Sequence, residues 1–295
     1  MSAAPLLESA GPSTDIATPA LRCLFEAALA REAVAVAAPL PFLADAAAQT
    51  LGTSGHTAGR RWRPLLALVT AEACGGEATD ALSVALAVEL THTASLLLDD
   101  LPCMDDAATR RGELVAHRRL GNAGAILLAV GFLGRAAERL GEVRHAGGTL
   151  ATSWGATIGL AGMAGGQAVD LAATGRAAPR GAARRLMRRK TTALAALACE
   201  GGARAVRAPT PTVEAVTRFG RDLGWAYQLA DDACDAAEDA AAGRRVAGRA
   251  PARQAAYLLA RAGRRLAHAP LPRDGAQRLR HVADRIVGSM LDAAR

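Results

Sequence analysis

Two clusters of aspartates are the residues of this sequence best suited to chemistry. The first is Asp99-Asp100-Leu-Pro-Cys-Met-Asp105-Asp106, directly after Ser-Leu-Leu-Leu. The second is Asp231-Asp232-Ala-Cys-Asp235, directly after Trp225-Ala-Tyr-Gln-Leu-Ala. Helical residues four apart share a face, so Asp231 and Asp235 are expected to point the same way, with Asp232 flanking. Asp99 and Asp105 are six apart, a spacing that a regular helix does not align. Pro102 between them can kink or end the helix, whereas Asp106, seven after Asp99, aligns even on a straight one. The geometry of the first cluster therefore stays open, but its carboxylate density does not. Magnesium prefers oxygen ligands, keeps several waters, and takes one or two carboxylates together with phosphate oxygens. Two facing clusters could hold several Mg2+ ions around a diphosphate and neutralise charge on a leaving group. One acidic run at a helix end is ordinarily a solvated terminus. Two runs, each ending a strongly apolar helix, favour a metal site, because crowded carboxylates cost stability unless cations join them.

Cationic counterparts lie nearby. Gly59-Arg60-Arg61-Trp62-Arg63-Pro64 opens a helix after a glycine-rich break, and Arg110-Arg111-Gly112 follows the first acidic cluster. The planar arginine fork suits bidentate phosphate contacts, and helix N-termini attract anions. Each of these arginines could equally be a surface residue or pair with an aspartate as a structural ion pair. Lys190, in Arg-Arg-Lys190-Thr191-Thr192, is the sole lysine of the chain. That favours a specific need for a compact ammonium, since the two cations are not interchangeable. His92, seven before Asp99, shares that helix face and could meet a second diphosphate or be a satisfied structural histidine. Gln167 and Asp170, in Gly-Gly-Gln-Ala-Val-Asp, are polar residues on an apolar helix and need either a cleft or an internal partner.

The elements that must position these residues are helices. Apolar segments of helix length run over Leu65–Cys74, Ala81–Leu98, Ala123–Leu140, Thr152–Ala173, Ala182–Glu200 and Val213–Ala242. Glycine and proline breaks separate them near 39–41, 52–59, 75–76, 147–148, 175–181, 201–211, 243–251 and 270–275. No strand ladder and no fixed-period repeat is evident. The expectation is an all-α, single-domain bundle of about ten or more helices over 18–295, preceded by a flexible tail over 1–17.

Composition sets the outer limits. The 295 residues are 51% hydrophobic but only 3% aromatic, and 35 basic against 28 acidic side chains give a net charge of +7. A basic balance allows nucleic acid, a membrane surface or anionic small substrates. Nucleic acid is disfavoured, because base-stacking aromatics are missing and the arginines are scattered apart from Arg180, Arg184, Arg185, Arg188 and Arg189 beside Lys190. The five cysteines show no CxxC pair and no zinc spacing, which fits reduced thiols in a cytoplasmic protein. The first residues lack the basic and apolar regions of a signal peptide, and no uninterrupted apolar stretch reaches the ~18 residues of a transmembrane segment.

The motifs resemble those of the trans-prenyl diphosphate synthases, most closely the bacterial geranylgeranyl diphosphate synthases of carotenoid pathways. THTASLLLDDLPCMDDAATRRG, over Thr91–Gly112, is similar to the family's first aspartate-rich motif, and YQLADDACD, ending at Asp235, to its second. GRRWRP, Lys190-Thr191 and GGQAVDL resemble further signatures, and the likeness runs from about Gly59 to Arg249. The resemblance implies an all-α homodimer of the isoprenoid synthase type, each protomer built around a central cleft. It implies that Asp99, Asp100, Asp105, Asp231 and Asp235 hold Mg2+ against an allylic diphosphate, with Asp232 beside them. Arg110, Lys190, Thr191 and Gln228 would contact that diphosphate, and Arg60, Arg63, His92 and Arg111 would bind isopentenyl diphosphate. Three departures bear on affinity and lid closure. Arg60 stands where the family usually has lysine, Leu114-Val115 where it has Pro-Thr, and Val246 where an aspartate is usual.

Product length should depend on the residues about one turn before Asp99, which line the top of a hydrocarbon channel. These are Ala94 and Ser95, both small, which predicts a C20 product. A terpene cyclase or other prenyl-coupling enzyme on the same scaffold would share the metal clusters but need no isopentenyl site, so Arg60, Arg63, His92 and Arg111 speak against it. A non-catalytic partner subunit would not need two intact acidic motifs.

Overall fold

The computed structural model describes residues 19–54, 59–110, 112–173, 182–241, 250–272 and 274–293, with side chains throughout except at 173, 182–188, 235–241, 250 and 293. The expected tail over 1–17, Arg111, Val246 and Arg249 lie outside the described residues, as does the side chain of Asp235.

Twelve α-helices make up almost all of the described chain. They are α1 (Pro19–Ala37), α2 (Ala44–Thr50), α3 (Trp62–Ala73), α4 (Leu82–Asp99), α5 (Ala116–Gly141), α6 (Gly147–Ile158), α7 (Met163–Ala173), α8 (Ala182–Ala205), α9 (Thr210–Ala241), α10 (Ala250–Ala267), α11 (Gly275–Ala283) and α12 (Ser289–Ala293). Helices α3, α4, α8 and α9 form the centre and α5 flanks α4. Leu65, Leu66 and Leu68 of α3, Leu90 of α4, Leu194 of α8 and Phe219 of α9 are fully buried there. Each such side chain contributes roughly 1.5–3 kcal/mol over leaving it in water.

Small residues let these helices approach closely. A Cβ on Gly202 would stand 2.3 Å from the Ala67 carbonyl oxygen, and one on Gly220 would stand 2.5 Å from that of Ala195. The break expected from Gly201 is therefore helix interior, and α8 continues to Ala205. The Thr152–Ala173 segment, expected as one helix, is two. The chain turns between Ile158 and Met163, where a Cβ on Gly162 would fall 2.0 Å from the Thr157 carbonyl oxygen. The break expected near Gly147 and Gly148 falls at 142–146, and the two glycines open α6.

A two-residue ladder, absent from the sequence expectation, pairs β1 (Thr109–Arg110) with β2 (Glu113–Leu114). It is too short to show alternation, and it aims Arg110 back at α4. Two stretches, 78–99 and 116–141, are long and apolar enough to cross a membrane by length and composition alone, although charged residues interrupt both. The first is 67% buried and serves as core. The second is only 28% buried, is interrupted at Gly121 (φ 73°), and leaves Ile126, Leu127 and Val130 exposed.

Candidate active site

Helix α4 delivers the first acidic cluster. Its last residue is Asp99, and Asp100 caps it. The chain then folds back, so that the Asp105 amide donates to the Asp99 carbonyl at 2.9 Å and the Met104 and Asp106 amides donate to that of Leu101. Asp105 is exposed and electrostatically coupled to Asp99. Burial pushes the Asp99 carboxyl above the usual range. Lys190 and Arg110 oppose the shift, while Asp105 and Asp100 add to it. Asp100 is buried and receives the fork of Arg110, with Nη2 to Oδ1 at 2.6 Å and Nε to both oxygens at 3.0 Å. Asp106 turns outward to Arg118 at 3.4 Å.

Across the cleft, α8 and α9 supply the partners. Lys190 Nζ donates to Gln167 Oε1 and stands 3.8 Å from Asp99 and 3.9 Å from Asp170. Thr191 Oγ1 donates to Gln228 Oε1 at 3.3 Å, and Gln228 Nε2 donates to Asp232 Oδ1 at 2.8 Å. Asp231, half-buried, is coupled electrostatically to Arg63. Lys190 thus sits between the first acidic cluster and the Gln167/Asp170 pair, while a chain of hydrogen bonds links its neighbour Thr191 to the second cluster.

Beneath Asp99 lies a cavity of about 400 Å³. Asp99, Lys190, Thr191, Gln228 and Ser95 stand among its lining, with Ala94, Leu98, Leu133, Ile158, Met163 and Leu171 forming apolar wall. Ala94 is fully buried and Ser95 is half-buried, its hydroxyl donating to the His92 carbonyl at 2.7 Å. A second, polar pocket of about 250 Å³ adjoins it, and Arg63 and His92 line both. Gly59, Arg60, Arg61, Trp62, Glu89 and Tyr227 complete its wall. Arg63 Nη1 meets His92 Nε2 at 3.3 Å. Burial pulls the Arg63 guanidinium below its ordinary value, opposed by Tyr227, Glu89 and Asp231. Arg61 of the same motif serves structure: it is buried, pairing with Glu89 at 2.5 Å and Glu26 at 3.1 Å and donating to the Leu51 and Gly52 carbonyls.

Trp62, Glu89 and Tyr227 of this pocket were given no role from the sequence. Tyr227 lies one turn before Asp231, so the spacing rule that aligned Asp231 with Asp235 could have placed it on the same face.

Among the described residues no three acidic, histidine or cysteine side chains converge as a preformed metal cluster. The donor set nevertheless fits magnesium. It is all hard oxygen, and the crowding of Asp99, Asp100 and Asp105 is offset only in part by Lys190 and Arg110. An ion that takes most of its shell from water and phosphate needs no closed protein cage.

Residues 45–249 match the family model described as Polyprenyl synthetase. The chain is 37% identical over 189 residues to a geranylgeranyl diphosphate synthase of Pantoea ananas, a match spanning 61% of this chain and 62% of that one. It is 35% identical over 216 residues to a farnesyl diphosphate synthase of Escherichia coli (strain K12), spanning 69% and 71%. A crystal structure of an FPP/GFPP synthase from Zymomonas mobilis superposes with a TM-score of 0.73 at 29% identity, covering 91% of this chain and 99% of that one. With two aspartate clusters on facing helices and a family match over more than two thirds of its length, the chain belongs to the polyprenyl synthetase family.

Proposed function

We propose that this protein joins isopentenyl diphosphate to an allylic diphosphate, with Mg2+ held by Asp99, Asp105 and Asp231 and with Asp100, Asp232 and Asp235 around them. The observation that carries this reading is the adjacency of two unlike pockets sharing Arg63 and His92. One is apolar below an acidic mouth, and the other is polar and rich in arginine. A greasy allylic chain fits the first, and the diphosphate of a second, smaller substrate fits the other.

Magnesium, when bound, supplies charge neutralisation at the departing diphosphate. The protein's own groups do the rest. Lys190, Thr191, Gln228 and, once released from Asp100, Arg110 hold the allylic diphosphate over the cavity mouth. Arg60, Arg63, His92 and Arg111 hold isopentenyl diphosphate so that its double bond faces the allylic C1. The C1–O bond breaks, the double bond attacks to form the new C–C bond, and the adjacent proton passes to the released diphosphate. The apolar wall keeps water from the cationic intermediate.

Small Ala94 and Ser95 support a C20 product, geranylgeranyl diphosphate, although the relatives include both geranylgeranyl and farnesyl synthases. The exposed Ile126, Leu127 and Val130 on α5 support a homodimer through that face, since contiguous apolar surface on a helix calls for a partner. The test is a product assay with purified protein, Mg2+, isopentenyl diphosphate and C5, C10 or C15 allylic diphosphates, read by mass spectrometry. A C20 diphosphate is expected. No elongation, with hydrocarbon or alcohol released from the allylic substrate alone, would overturn the reading in favour of a cyclase.

A further inference from the structure

Of the three arginines lining the polar pocket, Arg61 is tied up with Glu26 and Glu89, while Arg60 and Arg63 both meet an aromatic pair. The Trp62 and Tyr227 ring centroids lie 4.8 Å apart with the planes tilted by 30°. Arg63 Cζ sits 4.4 Å from the Trp62 centroid and 5.7 Å from that of Tyr227, within cation–π range of both. Arg60 Nη1 donates to the Tyr227 hydroxyl at 3.4 Å and approaches Met290 Sδ at 3.7 Å. Tyr227 therefore touches both cations, Arg63 with its ring and Arg60 with its hydroxyl. Its own position is fixed from two sides. It stands on α9 one turn before Asp231, and Cys234 of that helix donates to the Met290 carbonyl on α12 at 3.5 Å.

We propose that Tyr227 is a positioning residue, and that its hydroxyl is the specific partner of an arginine at position 60. The inference rests on the assignment of this pocket to the diphosphate of isopentenyl diphosphate. A guanidinium carries five donors in a fixed fork, so Arg60 can lend one to Tyr227 and still present others to phosphate oxygens. An ammonium at position 60 has a shorter, rotatable set of donors and no fork for the hydroxyl to orient. The hydroxyl should therefore matter with Arg60 present and lose its effect with lysine in its place.

The experiment is a double-mutant cycle of Tyr227→Phe and Arg60→Lys. Binding of inorganic diphosphate is read by calorimetry in a chelating buffer with Lys190→Ala as a common background, so that neither metal nor the Lys190 ammonium holds diphosphate at the cavity mouth. At 3.4 Å the contact is long, so Tyr227→Phe should weaken binding by about 3–10-fold in the Arg60 background. In the Arg60→Lys background it should change binding less than about twofold. In turnover, Tyr227→Phe should raise KM for isopentenyl diphosphate and leave kcat and the allylic KM unchanged. Wild-type binding by Tyr227→Phe, equal losses in both backgrounds, or a fall in Tm accompanied by loss of every kinetic parameter would overturn the proposal. If the wild-type protein makes no prenyl product, the transfer reading fails, and the calorimetric cycle still decides the Tyr227–Arg60 linkage on its own.

Discussion

The backbone amide of Asp105 donates to the carbonyl of Asp99 at 2.9 Å, so two residues six apart in sequence close one turn at the end of α4. Pro102 lies inside that turn and blocks helical continuation. The outcome brings the Asp105 carboxylate close enough to Asp99 for the two to repel. Asp106, the residue that a straight helix would have aligned with Asp99, adopts φ 46° and pairs outward with Arg118.

Asp99 stands at the mouth of the apolar cavity, and Asp231 is coupled to Arg63 of the adjoining pocket. Asp99→Ala and Asp231→Ala should each lower kcat by more than the roughly 10–100-fold typical of changes one shell away from a metal. Far-UV circular dichroism should remain helical, since neither side chain holds the core. Turnover within tenfold of wild type in either variant would remove that aspartate from the metal set.

Lys190→Arg tests whether the sole lysine is there for its shape. Its Nζ is drawn among Gln167, Asp99 and Asp170, with room shaped around a single ammonium. A guanidinium keeps the charge but spreads it over a plane and cannot meet all three in the same place. The variant should lose about tenfold or more in kcat. A wild-type rate would mean that charge alone suffices.

Much of this arrangement was legible in the sequence. The helices that carry the carboxylate clusters and Lys190 were read from apolar segments of helix length, and Ala94 and Ser95 share one helix end with Asp99 because spacing on a helix fixes direction. Other features depended on tertiary approach. Gly201 and Gly202 read as a break but are interior contacts against Val84 and Ala67, and a glycine looks the same in either role. The α6–α7 turn was hidden because its residues are as apolar as the helices it joins. The apolar segments read over Ala81–Leu98 and Ala123–Leu140 extend to helices at 82–99 and 116–141, because scattered polar residues at their ends do not stop a helix. Arg61 could not be told from Arg60 and Arg63 by type. Only its burial against Glu89 and Glu26 separates an ion pair from a ligand-facing cation.

The cysteines divide by burial. Desolvation pushes the Cys74 thiol up to about 11 and the Cys199 thiol up to about 12, whereas Cys23 and Cys103 are exposed. At pH 8 both raised thiols stay protonated and unreactive. An aromatic disulfide reagent should label Cys23 and Cys103 quickly and reach Cys199 only after denaturation. Cys103 lies in the Asp99–Asp105 turn, so its labelling should abolish turnover, and Cys103→Ser should protect. Rapid labelling of Cys199 in native protein would contradict the packing between α8 and α9.

The length of the product can be altered from two ends of the cavity. Ala94 is fully buried one turn above the mouth, and a phenylalanine there would fill space that the growing chain needs. Ala94→Phe should therefore shorten the product by one isoprene unit or more. Thr91 is the α4 residue lining the cavity farthest from Asp99, eight positions or about 12 Å along the helix. Its hydroxyl accepts a hydrogen bond from Trp154 Nε1 at 2.9 Å, and Ile158, one turn beyond Trp154 on α6, lines the same end. The indole is thus anchored behind the deep end of the cavity. Trp154→Ala should open that end and shift the product distribution to longer chains, as read by mass spectrometry of the extracted diphosphates. If Ala94→Phe shortens the product and Trp154→Ala leaves it unchanged, the chain end turns toward Leu171 on α7 instead. If neither variant changes it, the hydrocarbon does not occupy this cavity, and the pairing of greasy chain with apolar pocket falls with it.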